Sequence, residues 1–294
     1  MSSGTLPLRL PGQPVVVALD FDKTLTIQDT IAQVAVVAKN KHPENPEFEP
    51  ISDAYFRDYA EHEAQWNPRI ARHAKNGTVT LDLLHAYLES LRPVEQTSLA
   101  RVSRGKLMAG ALRQDFGAAG KLISLQPGAA TAINRFLALH LATYVVSVNW
   151  SEDFIRGALF ANGVVDAENI EIHCNNPEFD RSTGLSTGRL DPQMTVASDK
   201  TRVIDQIKRF AWEDSGGVWP YVVYAGDSLT DLPALLAADL GFVVGSSSSV
   251  AEWCQWLGIL PQKDPSSSSL RFTSCWADIE KTVVQSVISK DQEK

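Results

Sequence analysis

The chain has 294 residues, of which 44% are hydrophobic and 21% are charged, and its formal net charge is -8. This length predicts one large domain or two of modest size, and the composition excludes a disordered or fibrous protein. The acidic balance, without a cluster of Lys and Arg, argues against a nucleic-acid partner, because affinity for a phosphate backbone depends on clustered cations.

Cysteine usage and the N-terminal segment indicate the cellular setting. The cysteines Cys174, Cys254 and Cys275 are odd in number and lack C-x-x-C spacing, so we predict reduced thiols rather than a disulfide framework or a zinc site. Residues 1–13, rich in Gly, Ser and Pro, predict a loose leader that lacks the apolar core of a signal peptide. Since no apolar run of about 18 residues is present to cross a bilayer, we expect a soluble cytoplasmic protein without a membrane partner.

Three apolar runs predict strands that are buried on both faces of a parallel sheet. The runs occupy residues 14–19, 142–146 and 221–225, and a shorter strand is predicted over 241–244. Asp20 and Ser147 follow the first two runs directly, and Asp227 lies just beyond the third. Ligands of open α/β sheets bind outside the carboxyl ends of the strands, so these polar residues mark a candidate site.

Helical periodicity follows the strands. The helical patterns cover residues 127–140, 151–162, 199–212 and 229–238. Alternating strands and helices predict an α/β fold, with a Rossmann-like three-layer core built on a parallel sheet. Turn signals over 171–198 predict a hairpin or an irregular excursion, and the serine run 266–269 predicts a surface loop before a short C-terminal helix.

A segment with helical spacing and several prolines separates the first strand from the rest of the predicted sheet. Four segments there have helical spacing: 30–39, 52–65, 80–91 and 93–116. This pattern predicts a helical cap domain over residues 28–125, inserted after the first strand of a core formed by residues 1–27 and 126–294.

The residues that follow the first strand read D-F-D-K-T-L-T, from Asp20 to Thr26. Their spacing allows the carboxyl groups of Asp20 and Asp22 to face one space. One carboxylate can then act as a nucleophile, while the other protonates a leaving oxygen and later activates water. The alternative for a lone D-x-D pattern is an Asx-rich turn with a helix cap.

This segment resembles the first motif of the haloacid dehalogenase superfamily of phosphohydrolases, and the remaining motifs follow in the expected order. Ser147 ends the strand in VVSVNW, and Lys200 opens the helix in DKTRVIDQIKRF. AGDSLTDLP places Asp227 and Asp231 after the third strand. The inserted helical segment resembles the cap of the phosphoserine phosphatase-like branch of this superfamily.

The resemblance implies a Mg²⁺ site. A phosphate monoester carries about two negative charges, so an attacking carboxylate needs cations to offset the repulsion, and Mg²⁺ prefers oxygen ligands. The implied ligands are the side chains of Asp20 and Asp227 together with the backbone carbonyl of Asp22. Asp231, one helical turn beyond Asp227, is either a further ligand, directly or through water, or a negative charge at a helix N-terminus.

The resemblance also implies residues that bind the substrate phosphate. Lys200 would neutralise the phosphoryl oxygens, with Lys208 as the competing candidate two turns further along the helix. Ser147 offers a hydroxyl and Asn149 a backbone amide. The alternative role of Ser147 is a helix cap, for which Ser151 is better placed.

A cap that closes over the site would favour a small phosphorylated metabolite over a protein substrate. Gln28 and Asp29, at the junction of core and insert, are candidate specificity residues, and Thr30 beside them is close enough in sequence to line the pocket. Asp29 is equally suited to cap the helix that follows. Trp150, beyond the second motif, is a candidate by position to contact an organic leaving group. Nothing in the sequence indicates an oligomeric state.

These observations predict a Mg²⁺-dependent phosphomonoester hydrolase, with Asp20 as the nucleophile of an aspartyl-phosphate intermediate and Asp22 as its acid and base. A phosphotransferase or phosphomutase on the same scaffold is the first alternative. A non-catalytic binding protein is the second, and the intact set of Asp20, Asp22, Lys200 and Asp227 argues against it.

Overall fold

The computed structural model describes residue 10 and residues 12–259 and 269–288. Most of the predicted leader, and all but the last residue of the serine run 266–269, lie outside the described residues. Nine strands occur within the described residues: Val15–Leu19 (β1), Ala109–Leu112 (β2), Ala142–Val146 (β3), Glu171–His173 (β4), Asn176–Phe179 (β5), Leu185–Asp191 (β6), Tyr221–Gly226 (β7), Leu240–Val244 (β8) and Leu270–Thr273 (β9).

The same part of the chain forms helices that alternate with these strands. Their bounds are Ile31–Ala35 (α1), Glu49–Lys75 (α2), Leu81–Glu89 (α3), Arg92–Gly105 (α4), Arg113–Gly120 (α5), Ala129–Ala138 (α6), Glu152–Ala161 (α7), Ala197–Asp214 (α8), Leu232–Ala237 (α9), Ser248–Trp256 (α10) and Trp276–Ile288 (α11). None of these helices has both the length and the apolar character that crossing a bilayer requires.

Six strands form a parallel sheet in the order β4-β3-β1-β7-β8-β9. Alternate side chains of the central strand β1 enter two separate cores. Val15, Val17 and Leu19 pack with α6, α7 and α11 on one face, while Val16 and Ala18 pack with α8, α9 and α10 on the other. The predicted three-layer α/β fold is therefore confirmed, because a strand buried on both faces needs helices above and below it.

A second, smaller sheet pairs β5 and β6 as an antiparallel hairpin and adds β2 to the free edge of β6, also antiparallel. The hairpin predicted within 171–198 is thus confirmed. Its turn is closed by the amide of Gly184, which donates to the carbonyl of Asp180 at 2.8 Å. Since β2 comes from the inserted segment, this sheet joins the insert to the rest of the chain.

The helix predicted over 93–116 is wrong, because the chain breaks there into α4, β2 and α5. Lys106 ends α4 in the left-handed region, with a φ of 53°, and Gly110 has a φ of 89°. Neither backbone conformation belongs to a right-handed helix. Pro68, by contrast, lies inside the long helix α2 rather than ending it.

Helix α5 packs directly against α7, a helix of the main core. A Cβ atom added at Gly120 would overlap the carbonyl group of Phe154, and one added at Gly157 would overlap the carbonyl group of Gly117. Glycine is therefore required at these positions for the two backbones to approach so closely. The end of the inserted segment is consequently packed into the core layer, whereas α2, α3 and α4 form its helical body.

Candidate active site

The carboxyl ends of three neighbouring strands bring the predicted site residues together. Because β1 lies between β3 and β7, the residues that follow these strands share one edge of the sheet. Asp20 continues the ladder beyond β1, since its amide donates to the carbonyl of Ala225 at 2.9 Å. Ser147 does the same beyond β3, donating to the carbonyl of His173 at 2.9 Å.

Lys200 joins two buried carboxylates at this edge. Its Nζ atom lies 2.8 Å from Oδ1 of Asp20 and 2.7 Å from Oδ1 of Asp231, and only 2% of its side chain is exposed. A buried ammonium is costly unless it is paired, so this geometry explains why the lysine turns inward. The competing candidate Lys208 lies away from the site, where its Nζ donates to the carbonyl of Ala237.

Asp231 accepts hydrogen bonds at both of its carboxylate oxygens. Besides Lys200, the hydroxyl of Tyr224 donates to its Oδ1 at 2.8 Å, while the amide and hydroxyl of Ser228 donate to its Oδ2. Burial opposes ionisation, yet the Lys200 ammonium and these hydrogen bonds hold the pKa of Asp231 below its usual range. Gly226 is required beside it, because an added Cβ would lie 2.5 Å from the Cγ of Asp231.

Asp20, Asp227 and Asp231 form a cluster in which one ligand atom from each lies within 4.8 Å of the others. Three carboxylates face the single buried ammonium of Lys200, which leaves two negative charges at full ionisation. Burial, followed by the charge of Asp231, raises the pKa of Asp227 to about 6, and burial raises that of Asp20 as well. An all-oxygen cluster with excess negative charge fits a hard divalent cation such as Mg²⁺.

Asp22 faces a different set of partners, all of them neutral. Thr30 donates to its Oδ1 from the backbone amide at 2.7 Å and from its hydroxyl at 2.5 Å. The side-chain amide of Asn149 donates to Oδ2 at 3.0 Å. Burial outweighs these hydrogen bonds and raises the pKa of Asp22. A carboxyl held in this way is suited to give and take a proton.

The loop between Asp20 and Thr30 turns sharply because Lys23 adopts the left-handed conformation, with a φ of 59°. The side chain of Thr26 holds this turn, accepting from the amide of Lys23 at 3.0 Å. Thr26 also lies 2.6 Å from the carbonyl of Gln28, to which its hydroxyl donates. The turn therefore separates the surroundings of two acids that are two residues apart.

Ser147 and Asn149, predicted with Lys200 to bind phosphate, lie at the end of β3 and are buried. The hydroxyl of Ser147 accepts from the amide of Asn149 at 3.1 Å. The side chain of Asn149 is engaged with Asp22 and accepts from the amide of Trp150 at 2.8 Å, so it orients the acid. Ser151 provides the cap of α7, accepting from the amide of Phe154, and Ser147 is not needed for that role.

The three candidate specificity residues lie in different surroundings. Gln28 and Asp29 are exposed, and Asp29 accepts from the amide of Ile31 at 3.0 Å, although the N-cap residue of α1 is Thr30. Trp150 is buried and meets the ring of Phe48 edge to face, with the ring centroids 6.2 Å apart. Trp150 is thus in contact with the inserted segment.

Sequence reasoning did not assign Thr24 and Tyr224, which the structure brings into the site, and it placed Thr30 beside the pocket without giving it a role. The hydroxyl of Thr24 lies 3.3 Å from Oδ2 of Asp20 and 3.2 Å from Oδ1 of Asp227. Thr30 holds Asp22, and Tyr224 holds Asp231. Thr24 could have been found from its place within D-F-D-K-T, whereas Tyr224 looks like any apolar position of a buried strand.

The chain shares its fold with solved structures of a nucleotidase and a phosphoserine phosphatase. A cytosolic 5'-nucleotidase IIIB bound to cytidine has a similar structure, with a TM-score of 0.57, 13% sequence identity, and coverage of 96% of this chain and 87% of that chain. A substrate-bound phosphoserine phosphatase has a TM-score of 0.52, 16% identity, and coverage of 92% and 98%. At these identities the likeness shows the fold alone.

Two curated proteins are similar in sequence. The mitochondrial bifunctional TH2 protein of Arabidopsis thaliana is 27% identical over 92% of this chain and 47% of its own length, so this chain spans about half of that relative. A CTO1 family protein of Schizosaccharomyces pombe is 29% identical over 78% of this chain and 81% of its own length. No protein-family model matches the chain.

Proposed function

We propose that the protein is a Mg²⁺-dependent phosphomonoester hydrolase that acts on a small phosphorylated metabolite through an aspartyl phosphate at Asp20. One observation carries the proposal: three carboxylates cluster at the strand ends, two of them paired with the buried Lys200, and a separately held acid, Asp22, lies two residues from one of them. A nucleophile beside a cation and an acid among neutral donors are the two groups that this reaction requires.

In the first step, a carboxylate oxygen of Asp20 bonds to phosphorus while the bond from phosphorus to the ester oxygen breaks. The carboxyl group of Asp22 gives its proton to the departing oxygen, so an alcohol leaves and Asp22 becomes a carboxylate. The raised pKa of Asp22 favours the protonated form that this step needs. Lys200 and Ser147 are assigned to the phosphoryl oxygens, where the ammonium offsets their charge.

In the second step, the carboxylate of Asp22 takes a proton from a water molecule as the water oxygen bonds to phosphorus. The bond from phosphorus to the Asp20 oxygen breaks, and inorganic phosphate leaves. Asp20 is again a carboxylate and Asp22 is again protonated, so every atom and charge is restored. Thr30 and Asn149 hold Asp22 through both steps.

Mg²⁺ would be held by Asp20, Asp227 and the backbone carbonyl of Asp22, and when bound it would offset the charge of the phosphoryl oxygens. Both carboxylate oxygens of Asp231 already accept hydrogen bonds from the protein. We therefore assign Asp231 the role of holding Lys200 rather than direct ligation.

We further propose that residues 28–125 act as a cap that limits the substrate to a small metabolite. Contacts between this segment and the site support the proposal: Thr30 holds Asp22, and Phe48 packs on Trp150. Gln28 and Asp29, at the junction, and Trp150, beside the insert, remain the candidates to contact the leaving group.

The proposal includes a cytoplasmic location. The name of the Arabidopsis relative places that protein in mitochondria. Fractionation of cells that express this chain is the check, and recovery in the mitochondrial fraction would contradict the location without affecting the chemistry.

A phosphate-release screen over small phosphomonoesters, with and without Mg²⁺, tests the activity. We expect Mg²⁺-dependent release by the wild-type protein and a loss of about 10⁴-fold or more in Asp20→Asn, which removes the nucleophile. Asp205→Asn, a change of the same kind at an exposed position of α8, should retain activity. No turnover of any ester, or turnover unchanged in Asp20→Asn, would reject the hydrolase.

Measuring both products separates the hydrolase from a phosphotransferase. A hydrolase releases alcohol and inorganic phosphate in equal amounts, even when sugars or nucleosides are added as acceptors. Alcohol in excess of phosphate in the presence of an acceptor would instead identify a transferase.

A further inference from the structure

The corner between α3 and α4 in the inserted segment rests on the start of α8 in the core. Nη1 of Arg92 donates to Oγ1 of Thr195 and to Oδ2 of Asp199, both at 3.2 Å. Nη2 of Arg92 donates to Oγ of Ser198 at 3.0 Å, and that hydroxyl donates to Glu89 at 2.6 Å. Arg92 also pairs with Glu89 within its own corner. Four partners thus hold one guanidinium.

Asp199 lies in the first turn of α8 and fixes the start of this helix. Its Oδ2 accepts from the amides of Thr195 and Val196 at 2.9 and 3.1 Å, which satisfies donors that the first turn of a helix leaves free. The Asp199 carboxylate therefore both fixes the start of α8 and pairs with Arg92. Its side chain is mostly buried, with 14% exposed, so the pair is only partly screened by water.

Lys200 is the next residue of the helix and points the other way. Consecutive helical residues are about 100° apart around the axis, so Asp199 faces the insert while Lys200 faces the strand ends. The Lys200 ammonium is a point charge on a flexible stem, and it meets Asp20 and Asp231 from this first turn. Its position therefore depends on where α8 begins.

We propose that Arg92 is a positioning residue, which acts through Asp199 to hold the first turn of α8 so that the Lys200 ammonium meets Asp20 and Asp231. The helical body of the insert is thereby coupled to the cation of the active site, at a place remote from the loop that carries Thr30. The consequence for turnover rests on the proposed function, whereas the consequence for Lys200 does not.

A cavity of about 430 Å³ opens beside this contact, between α4, β6 and α8. Arg92, Thr195 and Asp199 lie in its wall, together with the polar side chains of Gln96 and Arg202. Small solutes can therefore reach the position of the guanidinium when the arginine side chain is removed. This access makes chemical rescue a practical test.

Arg101 provides a matched control. It lies on the same helix α4, and its Nη1 pairs with Oδ2 of Asp58 at 2.6 Å. That ion pair joins α4 to α2 inside the insert and does not involve the start of α8. Arg101→Ala therefore removes an arginine from the same helix without releasing Asp199.

Lysine acetylation followed by mass spectrometry reads the position of Lys200 without any substrate. We expect Lys200, protected in the wild-type protein, to react at least about tenfold faster in Arg92→Ala, because charge-assisted hydrogen bonds are lost from Asp199. Lys208, on the same helix, should react equally in all variants. Arg101→Ala should leave Lys200 protected even if it lowers the melting temperature.

The kinetic arm uses the same variants. Arg92→Ala should lose about tenfold in kcat/KM, and Arg92→Lys should show a smaller loss. Guanidinium at tens of millimolar should restore activity to Arg92→Ala, whereas urea should not. Equal labelling of Lys200 in Arg92→Ala and Arg101→Ala would overturn the positioning role. Absence of turnover in the wild-type protein would contradict the proposed function, and the labelling result would still decide this inference.

Discussion

Asp231 at the strand ends and Glu95 inside the helical insert are both withdrawn from water, and their pKa values shift in opposite directions. At the strand ends, Asp231 is fully buried and lies 2.7 Å from the Lys200 ammonium, so its pKa is below the usual range. In the insert, Glu95 of α4 accepts from the neutral hydroxyl of Tyr55 at 2.9 Å, and burial raises its pKa to about 7.

The difference shows that burial alone does not determine the state of a carboxyl. Desolvation favours the protonated form of both groups. At Asp231 the Lys200 ammonium, together with the hydrogen bonds from Ser228 and Tyr224, reverses that preference, whereas at Asp20 burial outweighs the same ammonium. Asp22 accepts hydrogen bonds from one neutral donor in each region, Thr30 of the insert and Asn149 of the core. It therefore resembles Glu95 more than Asp231, which suits a group that must carry a proton.

The largest effect that tests this comparison is expected at Asp22. Asp22→Asn should lower kcat about 10²- to 10⁴-fold for an alkyl phosphate, since the leaving alkoxide then lacks its acid. The phosphorylation step should be much less affected with a nitrophenyl phosphate, whose leaving group needs no proton. Burst kinetics with the two substrates would measure this difference.

Asp205→Asn is the matched control, because it makes the same change at an exposed carboxyl of α8. Its rates should stay close to those of the wild-type protein with both substrates. An equal loss of phosphorylation rate for both leaving groups in Asp22→Asn would contradict the assignment of Asp22 as the acid.

The excess negative charge at the strand ends predicts that Mg²⁺ reverses the order of stability of the wild-type protein and the Asp227→Asn variant. Mg²⁺ at 100 times its dissociation constant should stabilise the wild-type protein by about 2.7 kcal/mol. Asp227→Asn should be more stable than the wild-type protein without Mg²⁺, by about 1 to 2 kcal/mol after allowance for partial exposure, because it removes a charge that faces Asp231. The same variant should lose the response to Mg²⁺.

Chemical denaturation at pH 7.5, at constant ionic strength, measures both changes. Asp239→Asn is the control, because Asp239 precedes β8 at the opposite end of the sheet and should leave the Mg²⁺ response intact. A Mg²⁺ response retained in Asp227→Asn would remove that residue from the metal site.

The smallest effect is expected in the insert. Glu95 has an ordinary pKa of 4.5 that rises to about 7 on folding, so the folded state binds more protons between these values. Stability should therefore fall as pH rises through this window, by about 1 to 2 kcal/mol after allowance for partial exposure. Glu95→Gln keeps an acceptor for Tyr55 and should abolish this component.

The free energy of unfolding of the wild-type protein minus that of Glu95→Gln, followed from pH 4.5 to 8, isolates the contribution of Glu95. Glu61→Gln removes an exposed carboxyl of α2 and serves as the control. A difference that does not change with pH would show that burial does not raise the pKa of Glu95.

Much of the core could be predicted from the sequence, because unbroken β-branched runs such as that of β1 have few other uses than a buried parallel strand. The short strands β4 and β9 were not predicted, since three or four residues carry too little periodicity to be distinguished from loops. The helix over 93–116 failed for a related reason. Helical spacing of apolar residues continued past Lys106, while the backbone conformations at Lys106 and Gly110 interrupted the helix.

The sequence by itself determined the order of the reactive residues and their places at strand ends and helix starts, because the local pattern of apolar and polar residues carries that information. Only the tertiary structure decided which groups face each acid. Asn149 reaches Asp22 across 127 positions and Lys200 reaches Asp20 across 180. Such pairs form when the strand order brings distant segments to one edge of the sheet, and their charges then set the proton affinities that local sequence does not encode.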